Sequence, residues 1–169
     1  MPRYAVFLRA VNVGGAGKLP MAELKLMCEA LGFINIKTYI ASGNVVFDTE
    51  QGEPQIREAL SKKLLNFMGK PVPVFIRTMD ELSGLLSDNP FPHVEENKHM
   101  VIFLDETPAA DIAFDAKHHT DELIAIRERV LHVYYPSGMG KSKLKINGAE
   151  QGTARNMNTV RKVLELMYG

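Results

Sequence analysis

Two clusters of residues have the types and spacing to hold an anion. The first places Arg9, Asn12, Gly14, Gly15 and Lys18 in one glycine-rich stretch. Glycines let successive backbone N–H groups turn toward an anion, and a helix starting just after the loop adds its positive end. Arg9 and Lys18 bring charge, and Asn12, with Ser42 and Asn44 further along, brings neutral hydrogen bonds. The second cluster is Ser137-Gly138-Met139-Gly140-Lys141-Ser142-Lys143-Leu144-Lys145, followed by Arg155, Asn156 and Asn158. Alternating lysines on such a loop suit phosphate or carboxylate contact. A plainer reading stands beside each. The glycines satisfy turns, Asn12 and Asn44 bond local backbone, the lysines form a solvated face, and Thr153, Asn156 or Asn158 cap a helix.

Other chemistries fit less well. The run ending Gly17-Lys18 falls short of a nucleotide-hydrolase phosphate loop, because Asn12 and Leu19 occupy its first Gly and its Ser/Thr positions. No GxGxxG pattern fits either. Ser42 or Ser142 could act as a nucleophile on a small anionic substrate, with lysine or arginine steadying developing charge. No His or Glu is tied to either serine by spacing. Cys28 falls on an apolar helix face and reads as a buried thiol. His118 and His119 are adjacent, so they cannot share a helix face as metalloprotease ligands do. With a single cysteine and no His/Asp cluster, neither a metal nor a cofactor is expected. His132 alternates within a strand and reads as ordinary. Asp111, Asp115, Asp121 and Glu122 lack calcium-loop spacing and read as a solvated face. Tyr134-Tyr135 stand beside lysines, an arrangement that can stack on bases, yet one ring should face the core. The first strand offers only Phe7, so an RNA-recognition motif is a minor reading.

Composition sets the frame for these sites. The 169 residues suffice for one domain or two small ones, and 46% hydrophobic with 24% charged is ordinary for a folded chain. No run approaches the length of a membrane span, and the first residues lack the marks of a secretory signal. With Cys28 alone, a reducing, cytoplasmic setting is expected. Net charge is zero but unevenly placed. Residues 1–78 carry ten basic and six acidic residues, residues 79–128 three and twelve, and residues 129–169 seven and two. That argues against a general DNA-coating protein and leaves room for local basic patches.

The elements follow from periodicity. Residues 4–10 read as a buried strand, and Pro20 and Gly32 bracket a helix with Met21, Leu24, Met27, Cys28 and Leu31 on one face. Strands over 36–40 and 45–47 are joined by a tight turn at Ser42-Gly43-Asn44. A helix over 54–68 and a strand over 72–77 complete a βαββαβ order, the ferredoxin-like pattern. A weaker echo follows: a short helix from Asp80, a strand over 100–104, a helical stretch around 109–116, a hairpin over 123–127 and 130–135, and a helix from about Asn156. This half reads βαββα, with no obvious last strand. The expected class is α+β, a tandem ferredoxin-like duplication with a degenerate second copy. Its halves, 1–78 and 79–169, are expected to pack as one unit.

In a ferredoxin-like sheet the first two strands run parallel with the third antiparallel between them. The loop at 9–18 and the turn at 42–44 should therefore be neighbours.

Several motifs carry a resemblance. Phe7-Leu8-Arg9-Ala10-Val11-Asn12-Val13-Gly14-Gly15, Leu19-Pro20-Met21 and Thr38-Tyr39-Ile40-Ala41-Ser42-Gly43-Asn44-Val45-Val46-Phe47 are similar to the domain of unknown function 1697 family, a bacterial family without an established activity. So are Gly140-Lys141-Ser142-Lys143-Leu144 and Thr153-Ala154-Arg155-Asn156-Met157-Asn158-Thr159. The resemblance implies a tandem ferredoxin-like fold and supplies no activity. Met157 stands where the family usually has Trp, and the segment between Leu144 and Thr153 is shorter than the family's.

The expected function is a binding protein for a phosphate-bearing or other anionic ligand: a nucleotide, a phosphorylated metabolite or an RNA segment. An enzyme on a small anionic substrate and a protein-interaction module are the alternatives. No membrane partner is expected, and oligomeric state stays open.

Overall fold

The computed structural model describes residues 1–13, 18–113 and 116–169. Among them are β1 (Arg3–Leu8), α1 (Met21–Ala30), β2 (Ile34–Tyr39), β3 (Asn44–Asp48), α2 (Glu53–Met68), β4 (Val74–Thr78) and α3 (Met79–Ser87). Then come β5 (His99–Phe103), β6 (Leu123–Arg127), β7 (Val130–Tyr134), β8 (Thr153–Asn156) and α4 (Met157–Tyr168). The strands form two four-stranded antiparallel sheets, so the protein is α+β. The chain divides into two units, Met1–Leu85 with Lys162–Gly169, and Leu86–Arg161.

In the first unit the sheet order is β2-β3-β1-β4. Period-two alternation sends Val6, Leu8, Val45, Phe47, Val74 and Ile76 to one face, where Leu24, Cys28, Ile56, Leu60 and Leu64 from the two long helices meet them. Phe33 stacks on Phe47 with centroids 4.2 Å apart. α1 starts behind Pro20 and α2 stops at Gly69 in the left-handed region, as helix-end chemistry requires. At the sheet end away from the candidate site, Arg3 grips Asp48 through Nε to Oδ1 (2.6 Å) and Nη2 to Oδ2 (3.0 Å). Arg3 Nη1 also donates to the Met167 carbonyl. The guanidinium holds the Asp48 carboxyl below its usual range.

The second unit has the order β6-β7-β5-β8. One sheet face carries Leu131, Val133, Ile102, Ile124 and Ile126, packed with Leu104, Ile146 and Ala149.

Two expectations change here. The half does have a last strand: β8 pairs antiparallel with β5, from Met100↔Asn156 to Phe103↔Thr153. Its four residues, Thr-Ala-Arg-Asn, are too few and too polar to stand out in sequence. Gly152 precedes it closely enough to β5 that a Cβ there would collide with the Phe103 carbonyl oxygen. Around 109–116 no α-helix forms among the described residues. Ile112 N–H bonds Ala109 O (3.0 Å) and Ala116 N–H bonds Ala113 O (3.2 Å), both single turns. A stretch this short, with Pro108 before it and Asp111 within it, cannot repay helix nucleation.

Candidate functional site

β3 runs antiparallel to both β1 and β2, so β1 and β2 are parallel and end at one sheet edge. The loop after β1 and the β2–β3 turn are neighbours there, as the topology predicts. Leu8 N–H donates to Gly43 O at 2.9 Å. Asn12 fastens the two. Its Oδ1 accepts the Leu19 N–H (2.8 Å), and its Nδ2 donates to Leu19 O (2.8 Å) and Ala41 O (2.7 Å). One amide side chain thus mimics a strand partner for Leu19. Asn12 and Leu19 are thereby held side by side, with Lys18 exposed next to them.

Backbone strain gathers at the same edge. Ala10 (φ 59°), Asn12 (57°) and Ile40 (51°) are left-handed, as is Gly43 (90°). Asn tolerates this region, but a β-branched Ile there is a true outlier. Gly43 has no alternative, since a Cβ would sit 2.9 Å from Leu8 Cβ and from Val11 Cγ2. Asn44 is buried, its Nδ2 donating to Tyr39 O (2.8 Å) and Ser42 Oγ (3.1 Å). Arg9 is half-buried just past β1, its N–H on Pro73 O at 3.1 Å. α1 begins beside this loop with no side chain capping its first turn. The structure therefore gathers Arg9, Asn12, Lys18, Ser42 and Asn44. Gly14 and Gly15 lie outside the described residues.

The second cluster separates. Lys141 and Ser142 line a hollow of about 410 Å³ with Thr120, Asp121, Glu122 and Tyr135. Lys145 lines a different one, Lys143 is exposed and lines neither, and Arg155 is buried on β8. The Arg155 guanidinium donates to Thr153 Oγ1 (2.8 Å) and Ala154 O (3.0 Å), and burial brings its pKa down to about 10. Asn156 Oδ1 accepts the Thr159 N–H at 2.9 Å and so caps the start of α4.

Sequence reasoning missed the centre of the first hollow. Glu122 is 3% exposed, not part of a solvated face. Its carboxylate accepts from Thr120 N–H (3.2 Å), Thr120 Oγ1 (3.0 Å) and Ser142 Oγ (3.1 Å). Burial pushes its pKa up, but these hydrogen bonds outweigh burial and leave it below the usual value. No spacing rule would have found it, because Glu122 and Ser142 are twenty residues apart.

Two buried histidines were also missed as a pair. His99 Nε2 and His132 Nδ1 are 2.8 Å apart, and both rings are fully buried. The outer nitrogens, His99 Nδ1 and His132 Nε2, have no hydrogen-bond partner among the described residues. Burial drives both toward the neutral form, His99 to about 4 and His132 to about 3. Cys28 is buried as expected, its thiol pushed up to about 12.

The fold and site thus define an α+β protein of two antiparallel sheets with a strained, clasped loop on the first. Residues 1–132 match the family described as "Protein of unknown function (DUF1697)", and the chain belongs to that family. Among solved structures it is similar to the conserved bacterial protein SP0830 from Streptococcus pneumoniae, at 22% identity and a TM-score of 0.82, covering 100% of this chain and 99% of that one. That likeness concerns the fold alone. No curated protein matches by sequence. Among the described residues, no helix is long and apolar enough to cross a membrane.

Proposed function

We propose that the protein binds a small phosphate-bearing ligand, a nucleotide or phosphorylated metabolite, at the clasped edge of the first sheet. The carrying observation is the Asn12 clasp, which ties the loop after β1 to Leu19 ahead of α1 and to Ala41 at the β2–β3 turn. Left-handed Ala10, Asn12 and Ile40 beside it mean that backbone energy is spent on shaping this edge. Arg9 and Lys18 supply charge, Gly14 and Gly15 supply backbone N–H donors by their residue type, and Ser42 and Asn44 stand on the adjoining turn. RNA is a larger carrier of the same phosphate chemistry. We read the two units as a tandem ferredoxin-like duplication, since β2-β3-β1-β4 and β6-β7-β5-β8 correspond strand for strand. The lone buried thiol suits a cytoplasmic protein.

The test is calorimetric titration with inorganic phosphate, a mononucleotide and a short RNA. We expect nucleotide binding that weakens about tenfold or more in Lys18→Ala and in Arg9→Ala, the size of one charge-assisted hydrogen bond. Binding to none of the probes, or binding unchanged in both variants, defeats the reading.

A second reading, an enzyme using Ser142, draws on its contact with Glu122. Ser142 Oγ also accepts the Leu144 N–H at 3.1 Å, and Glu122 is held low, which makes it a weak base. The contact is better suited to fixing the loop than to activating a nucleophile.

A further inference from the structure

We propose that the second unit carries a separate site for a carboxylate with an apolar body. A groove of about 810 Å³, within the range of small-ligand sites, opens beside its sheet. Ile102, Leu144, Ile146 and Ala149 contribute apolar surface, and Lys117 and Lys145 stand in the same lining.

The lysines are placed by backbone. Lys117 N–H donates to Lys145 O (2.8 Å) and Lys145 N–H to Lys117 O (2.9 Å), an antiparallel bridge outside the sheet. Residues so paired project to one side, with Cβ atoms about 5 Å apart. Two ammonium groups directly opposite repel each other, and neither has a salt-bridge partner among the described residues. Glu150 also lines the groove, but its Oε2 accepts the Gly148 N–H at 2.9 Å. A single anionic head set between the lysines relieves their repulsion, and the apolar lining takes an aliphatic or aromatic body. A free phosphate satisfies the first requirement only, and a neutral alkyl chain the second only. The ligand class is therefore an amphipathic carboxylate.

The experiment titrates the full chain with decanoate below its micelle concentration, with decanol and with inorganic phosphate, reading heat and amide NMR shifts. Lys117→Ala, Lys145→Ala and the double variant are compared, since both side chains are exposed and the bridge is made by backbone. Decanoate is expected to bind, with decanol and phosphate each at least about tenfold weaker, and the double variant is expected to lose about tenfold or more. Arg9→Ala and Lys18→Ala should leave decanoate binding unchanged, which separates this site from the phosphate site. No decanoate binding, decanol or phosphate binding as tightly, shifts confined to other residues, or a double variant that binds like the parent overturns the proposal. So does decanoate-driven dimerisation, which would make the groove a meeting face between copies.

Discussion

At the scale of residues, Asn12 and the histidine pair make the sharpest claims. Asn12→Ala removes three hydrogen bonds and places Ala in the left-handed region, so it should cost about 1–3 kcal/mol in urea unfolding. Asn12→Gly restores only the backbone freedom and should recover part of that. His99 and His132 predict acid sensitivity. Their folded pKa values lie below the ordinary 6.5, so below that pH the unfolded chain binds more protons than the folded one. Stability is full above about pH 6.5. It should fall toward pH 4 for His99 and pH 3 for His132, by about 1.4 kcal/mol per pH unit per proton. Glu96 opposes this at His99 and Asp88 at His132, while Arg127 reinforces it. Unfolding midpoints measured from pH 8 to 4 check the slope, which should flatten in His99→Phe/His132→Leu.

At the scale of elements, β8 and the lysine bridge are the places to press. Gly152→Ala should push β8 off β5, at a cost above about 2 kcal/mol, because the obstacle is a backbone carbonyl that cannot step aside. Faster amide exchange confined first to β5 and β8 is the signature. Lys145→Gln should raise the thermal midpoint at low salt and lose that gain at high salt, as relieved like-charge repulsion requires. How much of this was legible in sequence depends on the span of each signal. α1 and α2 announced themselves because Leu24, Cys28, Ile56, Leu60 and Leu64 repeat with the helix and Pro20 and Gly32 bracket α1. β8 stayed hidden because a four-residue strand has no room for a period. The closeness of the first loop to the β2–β3 turn was readable from strand order, but Asn12 as its fastener was not, since an Asn in a loop has many local partners. Glu122 and Ser142, and Lys117 and Lys145, meet only through the fold, and no spacing in the chain encodes that.

At the scale of the whole molecule, twenty basic and twenty acidic residues give a chain whose charge cancels near pH 7. Colloidal solubility should pass through a minimum there and rise on either side, which turbidity against pH would reveal. A loss of solubility only at acid pH would instead point to unfolding driven by the histidines.

The solitary thiol has a practical corollary. Cys28 is fully buried and its proton is held to about pH 12, so thiolate chemistry at neutral pH will pass it by. The native chain is therefore a silent background for maleimide tagging. A cysteine installed at exposed position 13 or 147, beside but not among the binding lysines, would be the only one to take a fluorophore, turning each proposed site into its own reporter without a prior cysteine knockout.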